Sequence, residues 1–311
     1  MKKKVLLTVF ILAQLLAFSS DTTQMIRTSD SVNLFVHISG KGAPVLFLHG
    51  GPGSNSGYFE HTGGNIFEQE VQMVYLDQRG CGRSGKSESS NYSLTRMVQD
   101  FEEVRKSLGI KQWIVMAHSF GGILATAYAT AYPDAIKAMV YLNCTVNIDS
   151  SATSGIKHAI TLLEKKGKTY PELTNDTIPL LQRWGQAFGK LREEDLFYGL
   201  MFNSRENFQY HDSVTLVYGK EWDFGNKVWG YKEYFEDFIP ATARINCPVL
   251  IIGGTKDYTI GIRHPELMRF PVKQVKYVEG GHALYFESRE QLYKAVLPFL
   301  KKYGKTLQSV K

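Results

Sequence analysis

One serine of this chain stands where a strand pattern gives way to a helix pattern. Residues 113–118, WIVMAH, form an apolar β run, and the residues after Ser119 are rich in alanine and glycine. A strained strand-to-helix turn that exposes a nucleophile requires small residues two positions before and two positions after it. Those positions hold Ala117 and Gly121. We therefore predict that Ser119 is a nucleophile; the alternative is an ordinary serine at a helix N-cap.

A serine hydroxyl needs a base to take its proton. Residues 247–257, CPVLIIGGTKD, predict a buried parallel strand that ends in a glycine turn and delivers Asp257 at the sheet edge. Residues 275–282 predict one more strand, followed by a Gly-Gly loop that carries His282. We expect His282 to act as general base and then acid, and Asp257 to fix its tautomer. Taken singly, such an aspartate is as readily a turn residue, and such a histidine a surface or packing group.

The other histidines are weaker candidates for the base. His118 is expected to point away from Ser119, and the rest follow no recognisable strand-to-loop pattern: His37, His61, His158, His211 and His264. No pair of histidines has the spacing of metal ligands, so the sequence predicts neither a metal site nor a cofactor.

Acyl transfer also needs hydrogen-bond donors for a developing oxyanion. Residues 44–48, PVLFL, predict a strand that runs into HGGPG at 49–53. Glycines let backbone N–H groups approach a ligand closely, and they also make tight turns. We expect the two donors to be the backbone N–H groups of Gly51 and of Phe120, the residue after the nucleophile.

Two motifs carry a resemblance to a known family. The HGGPG segment and residues 77–84, DQRGCGRS, which follow an apolar strand at 71–76, closely resemble the proline iminopeptidases, which are serine peptidases of the α/β-hydrolase fold. The resemblance runs over about residues 25–145 and 245–300. The order Ser119, Asp257, His282 is also the order of α/β-hydrolases.

The resemblance implies an aminopeptidase that releases an N-terminal residue, often proline, through an acyl-enzyme. It makes Ser119 the nucleophile, completes the triad with Asp257 and His282, and places Gly51 in the oxyanion loop. Residues 77–84 would brace the floor of the site. The chain departs from the family at Ala117-His118, where the family usually has glycines and general esterases and lipases have such residues.

An aminopeptidase must pair the ammonium group of its substrate with a carboxylate, which the family places in its cap. We predict Glu221 as this substrate-binding residue because it stands among aromatics in YGKEWDF at 218–224. Asp223 and Glu206 are further candidates, and each of the three is otherwise a solvated surface acid.

Three other functions compete with the aminopeptidase. A carboxylesterase or lipase acting on small esters is the main alternative. A catalytically silent binding protein on the same scaffold is disfavoured by the intact Ser-Asp-His set. Haloalkane dehalogenase and epoxide hydrolase activities are disfavoured, because those enzymes resemble this fold but place a carboxylate where Ser119 stands.

The element order predicts an α/β-hydrolase fold, with a mainly parallel sheet covered by helices on both faces. Two strands near 24–28 and 31–38 precede alternating strands and helices, among them a helix from Leu94 to Leu108 behind Ser93 as N-cap. Aromatic-rich helical segments then replace the strand pattern. The predicted domains are a core, residues 21–146 and 241–311, and a helical cap, residues 147–240.

The N-terminus predicts export. Basic residues 2–4, an apolar run over 5–18 and two small residues make residues 1–20 a secretory signal peptide, and the run is too short for a comfortable membrane span. The mature protein is expected to begin near residue 20, to be secreted or periplasmic and to keep no stable membrane insertion. A membrane anchor is the minor alternative.

The net charge limits the kinds of partner that the protein can bind, and the cysteine count limits the disulfide bonds that it can form. The net charge of +6 includes three lysines of the signal peptide and four of the C-terminal tail, so the folded body is close to neutral and a nucleic-acid partner is excluded. The expected partner is a small peptide or ester substrate. Three cysteines cannot form a disulfide framework, and Cys81, Cys144 and Cys247 are predicted to be free and buried.

Overall fold

A computed structural model of the chain describes residues 21–304 and contains, within that range, one eight-stranded sheet. The strands are β1 Thr22–Arg27, β2 Asn33–Gly40, β3 Pro44–Leu48, β4 Gln72–Leu76, β5 Trp113–His118, β6 Ile136–Leu142, β7 Val249–Gly254 and β8 Lys273–Val278. Their spatial order is β1-β2-β4-β3-β5-β6-β7-β8. β1 and β2 pair antiparallel with their neighbours, and every other pairing is parallel.

The helices fall into those that cover the sheet and those inserted between β6 and β7. The α-helices are α1 Gly57–Thr62, α2 Leu94–Ser107, α3 Gly121–Ala131, α4 Ile148–Lys165, α5 Leu180–Glu193, α6 Arg205–Tyr218, α7 Asp223–Lys227, α8 Ile239–Thr242, α9 His264–Leu267, α10 Leu284–Glu287 and α11 Arg289–Gly304. Short 3₁₀ helices connect them at Gly64–Gln69, Pro133–Ala135, Pro171–Thr174, Phe197–Leu200, Val228–Gly230 and Lys232–Phe235.

The central strands are buried on both faces. β5 and β7 are buried at every position, because parallel strands under two helical layers need continuous apolar runs. Alternate residues feed two separate cores: Val115 packs in one, and Met116 packs in the other. The predicted mainly parallel sheet with helices on both faces is confirmed.

Local signals of the sequence place the helices. α2 begins behind Ser93, whose hydroxyl accepts a hydrogen bond from the Arg96 backbone N–H, and it buries Met97, Phe101 and Val104, as the periodicity predicts. Cys81 and Cys144 are free and buried, as expected, but Cys247 is only partly buried because it precedes β7.

The segment between β6 and β7 forms a helical layer with its own small core. α4 and α5 pack together around Ile156, Leu163, Ala187 and Leu191. No helix of residues 21–304 is long and apolar enough to cross a membrane. The predicted signal peptide, residues 1–20, and the tail after residue 304 lie outside the described residues.

Candidate active site

Ser119 occupies a strained turn between β5 and α3. Its φ of +58° lies in the left-handed region, which is unusual for a residue other than glycine and typical of functional turns. The turn is held because the Ser119 carbonyl accepts hydrogen bonds from the backbone N–H groups of Gly122, at 3.0 Å, and Thr145, at 3.1 Å. A Cβ at position 121 would lie 2.4 Å from the Leu48 carbonyl oxygen, so only glycine fits two places after the serine.

Asp257 and His282 come together at the ends of the neighbouring strands β7 and β8. The His282 Nδ1 lies 3.1 Å from Asp257 Oδ2, and both side chains are almost completely buried. Asp257 Oδ1 accepts hydrogen bonds from the backbone N–H groups of Thr259 and Ile260, both at 3.1 Å. With Nδ1–H donating to the carboxylate, the ring keeps Nε2 as the nitrogen that can accept a proton.

Asn143 fixes the loop that carries the histidine. Its amide nitrogen donates to the carbonyls of Gly281 and His282, both at 2.9 Å, and its amide oxygen accepts from the Gly254 backbone N–H at 2.6 Å. It follows β6 with a φ of +46°, which asparagine tolerates better than most residues. Sequence reasoning missed this residue, although an asparagine after a strand pattern is the same kind of signal that identified Asp257.

His118 packs against the histidine of the predicted triad. Its ring centroid lies 4.6 Å from that of His282, and it lines the same cavity as Ser119. Its Nε2 lies 3.1 Å from the His282 carbonyl oxygen, and its Nδ1 lies 2.7 Å from the Tyr58 hydroxyl. Burial lowers the pKa of His118 well below its ordinary value, so the ring is neutral. With both nitrogens engaged, His118 positions its neighbour and has no lone pair left for Ser119.

The glycine loop at residues 49–53 lies directly against the serine. A Cβ on Gly50 would come within 2.6 Å of the Ser119 Cβ, and Gly51 has a φ of +120°. Within residues 21–304, the backbone N–H groups of Gly51 and Phe120 donate no hydrogen bond. Both residues line the cavity with Ser119 and His282. Two unused donors therefore flank the serine, as an oxyanion site requires.

The motif at residues 77–84 lies outside this cavity. Asp77 is fully buried and accepts hydrogen bonds from the Ser56 backbone N–H and hydroxyl, both at 2.7 Å. Burial acts to raise the pKa of Asp77, but the hydrogen bond and charge of Arg83 outweigh it and the pKa lies below its ordinary value. Arg79 is buried between Asp30 and Asp100, to which it donates hydrogen bonds. These contacts brace the loops beneath the site.

The cavity above Ser119 has a volume of about 350 Å³, within the range of small-molecule sites. Its upper wall comes from the segment between β6 and β7 and is largely aromatic. The aromatic lining residues of that segment are Trp184, Phe188, Phe197, Phe202, Phe208, Trp222, Trp229 and Phe235. Among the described residues that line the cavity, Asp212 supplies the one carboxylate and Arg192 the one guanidinium.

The structure places Glu221, the predicted amine-binding residue, away from this lining. Its carboxylate accepts hydrogen bonds from the backbone N–H groups of Trp222 and Asp223, both at 3.0 Å, so it stabilises its own turn. Asp223 pairs with Lys227, and neither Asp223 nor Glu206 lines the cavity. Asp212 does, but it is a single acid on α6 with no motif around it, so the sequence gives no signal for it.

Comparison with known proteins bears on fold and ancestry. A family model described as "alpha/beta hydrolase fold" matches residues 43–288. Among solved structures, a proline iminopeptidase-related protein from Thermus thermophilus superposes with a TM-score of 0.73 and 20% identity, covering 92% of this chain and 99% of that one. An esterase from Exiguobacterium antarcticum superposes with a TM-score of 0.66 and 18% identity, covering 90% and 100%. Likenesses at such identities indicate a common fold.

Curated relatives match over a shorter stretch. The proline iminopeptidase of Neisseria gonorrhoeae is 41% identical over 100 residues, which are 32% of this chain and 32% of that protein. The proline iminopeptidase of Arabidopsis thaliana is 36% identical over 119 residues, 37% of this chain and 30% of that protein. The match thus spans about a third of the length of these relatives, and the resemblance to proline iminopeptidases seen in the motifs is confirmed.

Proposed function

Because the chain belongs to the alpha/beta hydrolase fold family, we propose that it is a serine aminopeptidase similar to proline iminopeptidases, which releases an N-terminal residue, often proline, from peptides. The observation that carries the proposal is the hydrogen bond from His282 to Asp257, in a cavity that His282 lines together with a serine held on a strained turn. The proposed triad is Ser119, His282 and Asp257.

Each step of the reaction has a group in the cavity. His282 takes the proton of the Ser119 hydroxyl as its oxygen attacks the scissile carbonyl, and Asp257 stabilises the imidazolium that forms. The backbone N–H groups of Gly51 and Phe120 hold the oxyanion. His282 then gives the proton to the leaving amine. Water attacks the acyl-enzyme carbonyl while His282 takes a proton from it, and His282 returns that proton to Ser119 Oγ as the ester bond breaks.

Recognition of a free N-terminus is assigned to Asp212 in place of Glu221. Asp212 lines the cavity, and its carboxylate makes no hydrogen bond or ion pair with another residue of the range 21–304. A carboxylate without a partner at the mouth of an aromatic cavity suits an ammonium group that enters with an apolar residue. The names of the curated relatives support the same substrate class.

A carboxylesterase acting on small esters is the second candidate. It is favoured by the aromatic lining of the cavity and by the exposure of Asp212, which lies at the surface and not deep in the site. An ester substrate needs no ammonium partner. The two functions use the same triad and differ in whether a free amine is required.

We expect the protein to cleave a prolyl anilide with a free amine and to lose at least about 10-fold in kcat/KM when that amine is acetylated, because a charge-assisted hydrogen bond is lost. Asp212→Asn should lower kcat/KM for the free-amine anilide by about 5-fold and leave a short aryl ester unaffected. Kinetic assays on these three substrates measure both effects.

Glu221→Gln is the matched control for Asp212→Asn, since it also removes one carboxylate of the same segment but does not touch the cavity. It should leave all three rates unchanged. If the protein cleaves the aryl ester fastest and cleaves the free and the acetylated anilide at equal rates, it is an esterase.

We also propose that residues 1–20 direct export and are then removed. The support is the succession of a basic start, an apolar run and small residues. N-terminal sequencing of the protein recovered from outside the cytoplasm of an expressing bacterium should give a start near residue 20. Recovery of the intact N-terminus from the cytoplasm would contradict the proposal.

A further inference from the structure

Arg192 brings a guanidinium that has no anionic partner among residues 21–304 to the wall of the catalytic cavity. It stands near the end of α5, and its Cζ lies 4.3 Å from the centroid of the Phe197 ring. Within residues 21–304 its side chain makes no hydrogen bond or ion pair, whereas Arg183 and Arg205 of the same segment pair with Asp176 and Asp195. A guanidinium presents donors in a fixed fork that matches a carboxylate.

Arg192 and Asp212 are opposite charges that line one cavity without pairing with each other. Two aromatic rings of the same lining lie next to them in the chain or in space. The Phe197 ring beneath Arg192 lies 5.8 Å from the Phe208 ring, and Phe208 is one turn before Asp212 on α6. The cavity lining therefore combines a negative group, a positive group and an apolar surface.

Substrates that carry both an ammonium and a carboxylate complement these two charges. We infer that the preferred substrate is a dipeptide, with its N-terminal ammonium on Asp212 and its C-terminal carboxylate on Arg192; this inference rests on the proposed aminopeptidase function. Two residues extend over roughly 7 Å, a length that a cavity of about 350 Å³ can hold. A longer peptide places a neutral amide opposite the guanidinium.

The reaction with a dipeptide follows the proposed triad. Ser119 Oγ forms an ester with the carbonyl carbon of the first residue while the C–N bond to the second residue breaks. The serine proton passes through His282 to the leaving nitrogen, so the second residue departs as a free amino acid whose carboxylate was held by Arg192. Water then cleaves the ester and releases the first residue.

The test compares a prolyl dipeptide that has a free carboxylate with its C-terminal amide and with a tetrapeptide that begins with the same two residues. The unmodified protein should favour the free dipeptide over the other two by about 5-fold in kcat/KM, as one ion pair at an exposed site predicts. Arg192→Gln should remove that preference by slowing only the free dipeptide, and Arg192→Lys should restore part of it.

Arg205→Gln is the control, because Arg205 is an exposed arginine of the same segment that lies outside the cavity. It should leave the preference unchanged. Equal rates for dipeptide, amide and tetrapeptide would overturn the dipeptide assignment but not the aminopeptidase function. An equal loss on all three substrates in Arg192→Gln would also overturn it, because such a loss indicates that Arg192 acts by packing on Phe197. Failure to cleave any prolyl substrate would overturn both.

Discussion

Ser119→Ala is expected to lower kcat by about 10⁶-fold on every substrate of the protein, because it removes the atom that forms the acyl-enzyme. Residual turnover would come from the oxyanion donors and from binding alone. Steady-state assays at saturating substrate measure the loss. The fold should be unaffected, since alanine and serine experience the same strain at a φ of +58° and the hydroxyl makes no hydrogen bond within residues 21–304.

Two measurements make the Ser119→Ala result decisive. The thermal unfolding midpoint should remain within about a degree or two of the unmodified protein, as expected for a substitution worth only a few tenths of a kcal/mol. A phosphonate ester that labels active serines should react with the unmodified protein and not with the variant. Retention of full activity in a folded variant would show that another residue is the nucleophile.

Asp257→Asn is expected to lower kcat by about 10⁴-fold, because an amide can turn its NH₂ group toward His282 Nδ1. Nδ1 must then accept, which moves the ring proton to Nε2 and leaves no lone pair for the Ser119 proton. The asparagine oxygen can still accept from the N–H groups of Thr259 and Ile260, so the loop should keep its shape. Comparison of kcat with KM checks the assignment: kcat should fall and KM should change little.

The double variant gives the matched control for Asp257→Asn. Residues that act as one unit show strongly non-additive effects, so Ser119→Ala combined with Asp257→Asn should be no slower than Ser119→Ala alone. A loss below about 10-fold in the single variant, or an additive loss in the double, would make Asp257 a loop residue with no part in the proton transfer.

The sequence by itself determined where the predicted catalytic residues stand relative to the strands of the sheet. The small residues on both sides of Ser119 are required by a turn too tight for side chains, and Asp257 stands in the turn that follows the apolar strand β7. Such features are local: residue type and close neighbours decide the backbone, and the parallel sheet brings the strand ends to one edge. The family resemblance rests on motifs of the same local kind.

The tertiary structure alone decided how the site is held and what wall faces the substrate. His118 turns toward the histidine loop because Tyr58 and the His282 carbonyl engage its two nitrogens, and both partners are distant in sequence. Glu221 bonds to its own turn, whereas Asp212 and Arg192 reach the cavity. Helical periodicity shows that a polar residue lies on a helix surface, but the rotation of that helix against its neighbours decides what the residue faces, and packing between distant segments sets that rotation.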